Sequence, residues 1–599
     1  MTTRAIGDVR PSQVITTFGP GAIVDLQTLS VIVAGIDNWP TDDELEIREP
    51  RLARALHVKR FFPAKPSEGS FFNRRGTVPT YLFPRYQVCP VCRTLSSLSE
   101  GLLEYDPKWQ EIVCKNPGCK GRGKFRAIAL PAPFIVACPS GHIDEFPWRE
   151  YVHHQGKKDC QMRMELFSIA RTGTVADIMM KCECGQSRSA SAAFGENASD
   201  ALGPCTRRRP WLGPGAPDSA SCHHSTRVRA MQRGATNAWF PVVRSALSVK
   251  EAATPIGVAL NACNAKQIEK VDTPDKLKML VEMGMFPPLE SFPIGAIWTA
   301  IQKQRGKVET DDVDLRWPEW LAFRAPESAS DDKAELFLQE GKVPEGFTGL
   351  IERVVLARKL LEVRALVGFT RIDAAGVGTD DTPRPNIAHI WRSRLDWLPA
   401  VEVRGEGIFI ELNEDAVAKW EDRPAVKARS KAMAEKFREW EEERGVEPAS
   451  PFPGARYVLL HSLAHTLIRQ LALDCGYSAS SVRERIYSHE GPDRKMAGVL
   501  LYTASPDSEG SLGGLVDLGS ADRFPALFRG ALRSATRCSS DPLCADHKPD
   551  VHATINAAAC HACILVSETS CEAFNRFLDR NSLVETMIGD ALAFFPSSV

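Results

Sequence analysis

The spacing of the cysteines is the feature that most constrains this chain. Among 599 residues there are 17 cysteines, many in short groups such as CPVC, CEC and CHAC. The number is odd, and the N-terminal stretch MTTRAIGDVRP has no apolar run of the signal-peptide type. We therefore expect a cytoplasmic protein. A reducing compartment disfavours disulfides, so closely spaced thiols are better explained by metal, with zinc as the first candidate.

The sharpest signal is the pair Cys89 and Cys92, followed after 21 residues by Cys114 and Cys119. Two cysteine pairs on two turns, joined by a segment long enough for a hairpin, bring four thiolates around one tetrahedral Zn²⁺. This spacing predicts a zinc ribbon. Four protein ligands leave no open coordination position, so such a site organises the fold and does not catalyse.

A second, looser set of cysteines and histidines lies between residues 138 and 224. The CEC pair and two later cysteines, reached across polar loops, suggest a second zinc, and the chosen ligands are Cys182, Cys184, Cys205 and Cys222. The alternatives stay open at this stage. Cys160, or Cys138 with His142, can replace one of these ligands or hold a further ion.

A third set lies near the end of the chain. Cys560 and Cys563 form a CxxC knuckle, and the third zinc is assigned to Cys544, Cys560, Cys563 and Cys571, with Cys538 as a spare. In the segment HSLAH, His461 and His465 are one helical turn apart and could bind metal, but the glutamate of the H-E-x-x-H motif is missing. Histidines in the core of an amphipathic helix are the favoured interpretation.

Nucleic-acid binding would have to come from local patches, because the formal net charge is only −1. Residues 84–130 carry eight Lys or Arg against four Asp or Glu. The candidate phosphate contacts are Lys120, Arg122, Lys124 and Arg126, and also Arg207, Arg208 and Arg209 beside Trp211, whose ring could stack on a base. The alternative is two ordinary solvated faces, with Trp211 in the core.

The length of the chain suggests about three to five domains. We predict an α+β multidomain protein in which zinc-ribbon-like modules are inserted between helical and mixed α/β regions. The longest apolar runs are too short to span a bilayer. The predicted regions are an N-terminal mixed domain (1–83), a zinc ribbon (84–130), a second cysteine-rich region (131–265), a mostly helical domain (266–395) and a C-terminal zinc-binding domain (396–599).

Local patterns predict several elements. Thr273 is the expected N-cap of a helix that has Pro274 at its first position and stops at Gly284. Further helices are expected at 349–366, 425–445 and 458–473, and strands at 405–412 and 497–504. In the helix at 425–445, the apolar side is expected to consist of Ala428, Ala432, Phe437 and Trp440. The segment TTFGPGAIVDL is expected to form a glycine turn between two strands.

Several longer segments carry a resemblance to a known family. They are GVLLYTASPDSEGSLGGL, the cysteine spacing that ends in SCEAFNRFLDR, ACPSGHIDEFPWREYVHH, RGATNAWFP and VRALVGFTRI. Together they resemble the DrmB family of the DISARM anti-phage defence system, over most of the chain. The last part is similar to a zinc-binding domain of unknown function that is also found in MrfA-type repair helicases.

The resemblance implies a partner role. DrmB-like proteins accompany DrmA, a helicase-like ATPase, and the pair recognises DNA, while methyltransferases mark the host genome as self. The sequence has no P-loop, which agrees with ATP chemistry in the other subunit of a heterodimer. The resemblance also implies that the four C-terminal cysteines bind zinc, and it supplies no catalytic residues. We therefore expect a non-catalytic scaffold with two or three zinc ions.

The alternative is an enzyme, a metal-dependent nuclease acting on invading DNA. Such an enzyme needs carboxylates that converge on Mg²⁺. The candidates are Asp507, Glu509 and Asp517, in and beside the Gly-rich segment SEGSLGGLVD. That segment is equally typical of a loop between strands.

Overall fold

The computed structural model describes most of the chain. The described residues are 9–63, 78–121, 126–154, 159–170, 174–194, 198–213, 221–249, 259–260, 263, 267–268, 271–290, 292–304, 314–326, 335–374, 386–444, 451–476, 478–491, 494–504, 514–551 and 554–596. Across these residues, no helix combines the length and apolar character needed to cross a membrane.

The fold is a mixture of α-helices and several β-sheets. The strands are β1 (Ile23–Asp25), β2 (Ser30–Val33), β3 (Arg60–Pro63), β4 (Thr80–Leu82), β5 (Tyr86–Val88), β6 (Thr94–Ser97), β7 (Leu103–Asp106), β8 (Glu111–Cys114), β9 (Ile128–Pro131), β10 (Phe134–Ala137), β11 (Ile143–Glu145), β12 (Met164–Ser168), β13 (Ile178–Cys182), β14 (Ser187–Ser189), β15 (Arg229–Gln232), β16 (Phe240–Leu247), β17 (Phe337–Glu340), β18 (Ile351–Thr370), β19 (Trp397–Leu412), β20 (Val482–His489) and β21 (Met496–Ala504). The helices are α1 (Pro11–Thr16), α2 (Pro50–Ala55), α3 (Trp148–Val152), α4 (Ala198–Leu202), α5 (Pro274–Glu282), α6 (Ile294–Gln304), α7 (Arg316–Arg324), α8 (Glu414–Glu421), α9 (Pro424–Arg444), α10 (Gly454–Cys475), α11 (Gly514–Leu518) and α12 (Phe524–Ala535).

A seven-stranded sheet forms the centre of the molecule. Five strands follow the order β16-β18-β19-β21-β20, while β17 pairs with β18 and β3 pairs in parallel with β19. The long antiparallel pair β18 and β19 runs from Ile351, opposite Leu412, to Ala365, opposite Ala400. The sheet takes strands from four of the five regions expected from the sequence, so segments far apart in the chain share one core.

The helix expected at 349–366 is wrong, because this segment is the 20-residue strand β18. Fifteen of the 20 residues of β18 are buried, on both faces of the strand. A strand covered on both sides shows no polar–apolar alternation, and its apolar run cannot be told from a buried helix by periodicity alone.

The helices at 458–473 and 425–445 and the strands at 405–412 and 497–504 are confirmed as α10, α9, β19 and β21. The cap of α5 is also confirmed, since Thr273 Oγ1 accepts a hydrogen bond from the Lys276 amide. The buried side of α9 differs from the expected one. It is formed by Val426, Met433, Phe437 and Glu441, while Ala428 is exposed.

The FGPG segment connects a helix to a strand, not two strands, because α1 precedes it and β1 follows it. Gly21 has φ of +83°, and a Cβ atom there would lie 2.5 Å from the Phe369 ring of β18. A Cβ on Gly19 would lie 2.7 Å from Trp239. Glycine is therefore required because the turn packs directly on the central sheet.

A second sheet of eight strands has the order β14-β13-β12-β6-β5-β9-β8-β7. Two small three-stranded sheets, β1-β2-β4 and β11-β10-β15, complete the β structure in the described part of the chain. The turns and ends of the eight-stranded sheet and of the β10–β11 hairpin carry several of the cysteines of the first half of the chain.

Candidate metal centres

The first cysteine group lies at the ends of strands β5, β6 and β8 of the eight-stranded sheet. Cys89 and Cys92 occupy the turn between β5 and β6, Cys114 ends β8, and Cys119 lies in the turn after it. The Sγ atoms of Cys89 and Cys119 are 3.8 Å apart, and those of Cys92 and Cys114 are 3.7 Å apart. The structure thus brings together the four cysteines of the predicted zinc ribbon.

These sulfur–sulfur distances fit a tetrahedral metal. With Zn–S bonds of about 2.3 Å, tetrahedral geometry places two sulfurs about 3.8 Å apart, whereas a disulfide holds them at about 2.05 Å. In the described residues, every cysteine with a placed side chain is a free thiol. The donor atoms and their spacing therefore suit Zn²⁺.

The second predicted set needs correction, because the structure divides its four cysteines between two groups. Cys205 and Cys222 join Cys138 and His142, whereas Cys182 and Cys184 join a different pair. The reason is strand pairing. Cys182 ends β13, which pairs with β12, while Cys138 directly follows β10, a strand of a separate small sheet.

The group around Cys138 is held by the tight β10–β11 hairpin. The Cys138 amide donates to the His142 carbonyl at 3.1 Å, and the Cys138 sulfur lies 3.4 Å from His142 Nδ1. Its distances to the sulfurs of Cys205 and Cys222 are 3.6 and 3.8 Å. Three thiols and one imidazole thus converge, and the alternative pair that the sequence left open, Cys138 with His142, supplies two of the four.

The other group consists of Cys160, Cys182, Cys184 and His153. Cys160 and Cys182 have sulfurs 3.6 Å apart, and His153 Nε2 lies 3.2 Å from the Cys184 sulfur. His153 Nδ1 donates to the Arg149 carbonyl at 2.7 Å, which leaves Nε2 as the ligand atom, the arrangement typical of metal-binding histidines. Sequence reasoning missed His153, which is one of two adjacent histidines and has no distinctive spacing to the cysteines.

The C-terminal group contains Cys538, Cys544, Cys560 and Cys563. The sulfur distances are 3.5 Å between Cys538 and Cys560, 3.7 Å between Cys544 and Cys563, and 3.6 Å within the CxxC pair. The assignment of Cys571 to this group is corrected: Cys538, the spare, takes its place. Cys571 lies instead in the core beside His461, with its sulfur 3.1 Å from Nε2.

Each of the four cysteine-rich groups contains one thiol with a lowered pKa, and in the group with His153 a hydrogen bond from the Gln186 amide lowers the pKa of Cys184 to about 7. A hydrogen bond with Cys138 lowers the pKa of Cys205 to about 4, and one with Cys544 lowers the pKa of Cys563 to about 5. Burial raises the pKa of Cys92, but hydrogen bonds from Thr94 and Asn116 bring it down to about 6. Each of these groups therefore offers a thiolate at neutral pH, the form that binds metal.

The candidate phosphate contacts are only partly described. Arg122 and Lys124 lie outside the described residues, while Lys120 and Arg126 are exposed beside the first cysteine group. The Nη1 atom of Arg126 lies 3.8 Å from the Oε2 atom of Glu104. The arginine run at 207–209 begins two residues after Cys205, so the second metal group and the arginine run share one loop.

Arg208 and Arg209 line a cavity of about 670 Å³ together with Arg85, Arg149 and the acids Glu100, Asp144 and Glu145. Arg208 is exposed, and its Nε atom lies 3.5 Å from the carboxylate of Asp144; Arg207 is half-buried.

Trp211 is fully buried, and its ring nitrogen donates to the His389 carbonyl. Trp211 is therefore a core residue, and base stacking on its ring is ruled out in this structure.

Among the nuclease candidates, Asp507 and Glu509 lie outside the described residues. Asp517 is exposed on the short helix α11. Within the described part of the chain, it belongs to none of the groups of converging ligand side chains.

Two parts of the chain match known family models. Residues 10–240 match a family model described as a domain of unknown function, DUF8724, and residues 463–564 match the MrfA Zn-binding domain. The second match covers Cys538, Cys544, Cys560 and Cys563 and ends before Cys571. Zinc is thus the metal indicated for the C-terminal group.

One solved structure, the crystal structure of the DUF1998 helicase MrfA bound to DNA, is similar over 36% of this chain, with 15% identity and a TM-score of 0.18. This chain covers 22% of that protein. A curated relative is far more similar. The DISARM protein DrmB of Bacillus paralicheniformis is 32% identical over 590 residues, which cover 94% of this chain and 98% of that protein. The chain therefore belongs to the family of the DISARM protein DrmB.

Proposed function

We propose that the chain is a zinc-stabilised, non-catalytic scaffold subunit of an anti-phage defence complex. It binds a helicase-like ATPase of the DrmA type and contributes to DNA binding. The observation that carries this proposal is the set of four groups in which thiols and imidazoles supply four ligands each. Zinc with four protein ligands has no position left for water or substrate, so these ions would hold loops in place and would not catalyse.

In this proposal the first group is a zinc-ribbon-like site, and each of the other three cysteine-rich groups also takes one ion. The four cysteine-rich groups then bind four zinc ions, which is one more than the upper number expected from the sequence. The difference arises because the second predicted set is two groups.

The partner is proposed from family membership. The curated relative is named a DISARM protein, and the sequence resemblance implies a DrmA-like partner that hydrolyses ATP. The sequence carries no P-loop of its own. A scaffold without ATP chemistry, joined to a subunit that has it, is the division of labour that fits both observations.

DNA binding is proposed for the exposed basic residues beside the metal groups. Lys120 and Arg126 flank the first group, and Arg208 follows a ligand of the second. Metal ligation would fix the backbone of these loops, so the cationic side chains would be held in position before DNA arrives. Such pre-organisation reduces the entropy lost on binding.

The first experiment measures metal content and DNA binding of the full chain, alone and with its helicase-like partner. Cys563→Ser removes one ligand of the C-terminal group and should reduce bound zinc by one equivalent. Cys263→Ser is the matched control, because Cys263 lies outside all converging groups of the described residues. It should keep the wild-type zinc content.

The scaffold proposal expects DNA to be retained best by the pair of proteins, without strand cleavage in Mg²⁺. Cleavage by the chain alone would overturn it in favour of the nuclease alternative and direct attention to Asp507, Glu509 and Asp517. A zinc content below two equivalents would also contradict it. Absence of DNA binding both alone and with the partner would reduce the role to protein docking.

A further inference from the structure

We propose that His461, His465, Glu484 and Cys571 form a fifth metal site that takes Zn²⁺ in the core of the C-terminal region. The site is independent of the proposed roles in DNA and partner binding. It uses three residues to which the sequence analysis gave other roles: the two histidines were interpreted as core residues, and Cys571 was assigned to the four-cysteine group.

The four side chains converge from three separate segments. Both histidines are on α10, Glu484 is on β20, and Cys571 follows the C-terminal cysteine group. One ligand atom of each lies within 4.8 Å of the others. His461 Nε2 is 3.0 Å from Glu484 Oε1 and 3.1 Å from the Cys571 sulfur. All four residues are buried, and both histidines have no exposed surface.

The hydrogen bonding of His465 leaves the lone pair of its Nε2 atom facing the carboxylate of Glu484. Its Nδ1 faces the Ile564 carbonyl at 3.0 Å, and a carbonyl only accepts, so Nδ1 carries the proton. In the neutral ring, Nε2 then presents its lone pair to Glu484 Oε2, 3.5 Å away. Neither atom makes a hydrogen bond within the described residues. Two buried acceptors that face each other are unfavourable unless a proton or a metal cation lies between them. A metal cation would also be bound by the other imidazole and the sulfur that converge at this point.

Cys571 has the surroundings of a thiolate. Its sulfur accepts hydrogen bonds from the amides of Ala573 at 3.3 Å and Asn575 at 3.1 Å. The same kind of bond occurs in the cysteine-rich groups, where the Arg207 amide donates to Cys205 and the Asp541 amide donates to Cys538. Amide donors stabilise negative charge on sulfur, and so does a bound cation.

Glu484 is also held for ligation. The Glu572 amide donates to its Oε1 at 3.0 Å, and the Glu484 amide donates to the Ser570 carbonyl. The segment that carries Cys571 is thereby fastened to β20. Two imidazoles, one thiolate and one carboxylate are a donor set that Zn²⁺ accepts, and harder cations such as Mg²⁺ avoid thiolate. With four protein ligands the site is closed and structural.

The test is a metal count on the full chain, purified without added metal in reducing buffer and washed with a weak chelator. We expect five equivalents of zinc in the wild type, one for each converging group. Cys571→Ser and Cys538→Ser should each lose one equivalent, and the double variant should lose two. A double variant that loses only one equivalent, or a wild type with four, would overturn the proposal. A metal other than zinc as the fifth equivalent would overturn the assignment of the ion.

A buried substitution can prevent folding, so a second variant is needed. Glu484→Gln keeps the size of the side chain and an oxygen for the Glu572 amide, and it should also lose one equivalent while circular dichroism stays native. A folded Glu484→Gln protein with five equivalents would contradict ligation by the carboxylate. Cys538→Ser reports on the four-cysteine group alone, so the zinc lost with Cys571→Ser is measured separately from it. The fifth site can therefore be tested even if the scaffold proposal fails.

Discussion

Glu319 shows how a single buried charge is accommodated in this protein. The residue lies on α7 with no exposed surface. Its carboxylate accepts hydrogen bonds from Arg485 at 2.6 and 2.7 Å, from the Tyr487 hydroxyl at 3.0 Å and from the Leu247 amide at 2.9 Å. The full set of donors compensates for the loss of water and connects α7 to two strands of the central sheet.

Glu319→Ala should therefore be strongly destabilising, because it removes the carboxylate that accepts two hydrogen bonds from the buried Arg485. We expect a loss of about 3–5 kcal/mol in the free energy of unfolding, measured by chemical denaturation and followed by tryptophan fluorescence. The control is Glu340→Ala, which removes the same type of side chain from a partly exposed ion pair with Arg353. That change should cost at most about 1 kcal/mol. Equal losses in the two variants would refute the buried network.

At the scale of elements, α5 shows a helix whose start depends on one side chain. Thr273 Oγ1 accepts from the Lys276 amide at 3.3 Å, and Pro274 occupies the first position. The first amides of a helix lack partners inside the helix, so the capping oxygen satisfies one of them. The helix ends at Glu282, and Gly284 follows with φ of +68°.

Thr273→Ala should destabilise the first turn of α5 by about 1 kcal/mol. The amide of Lys276 should then exchange its hydrogen about five times faster, as measured by hydrogen–deuterium exchange. Thr273→Ser keeps the capping oxygen and should leave the exchange rate close to the wild-type value. If the alanine variant also exchanges at the wild-type rate, the cap does not stabilise this helix.

At the scale of the whole molecule, a net charge of −1 gives no overall attraction for nucleic acid. DNA binding would depend on the local basic loops beside the metal groups. Such binding releases counterions from DNA, so its dependence on salt counts the phosphates contacted.

Lys120→Ala and Arg208→Ala should each weaken DNA binding by the complex with its partner. Each should reduce the slope of log K against log salt by about 1. The matched control is Lys431→Ala, which removes an exposed charge from α9, a helix that carries no cysteine. Fluorescence anisotropy at several salt concentrations measures all three variants. A slope unchanged from wild type in the first two variants would remove these residues from the DNA surface.

Much of the local structure was predictable because short-range rules decide it. The helix α5 was identified from its cap, its proline and its terminal glycine, and α10 and β21 were identified from their apolar residues. The strand β18 was not, because burial on both faces removes the alternation by which a strand is recognised. The glycine turn at FGPG was predicted, but the helix α1 that precedes it was expected to be a strand. The packing of this turn, with Gly21 on Phe369, involves residues far apart in the chain, so local rules do not predict it.

Cysteine spacing alone established that the chain carries knuckles such as Cys89–Cys92 and Cys560–Cys563, because neighbouring thiols on one tight turn lie close in any fold. Only the tertiary structure decided which knuckles share a group. The pairing of β12 with β13 brings Cys160 to Cys182, and the β10–β11 hairpin brings Cys138 to His142. Likewise, α10 and β20 collect Cys571 into the core. Distances between residues far apart in sequence are set by strand pairing and helix packing, and no spacing rule along the chain contains them.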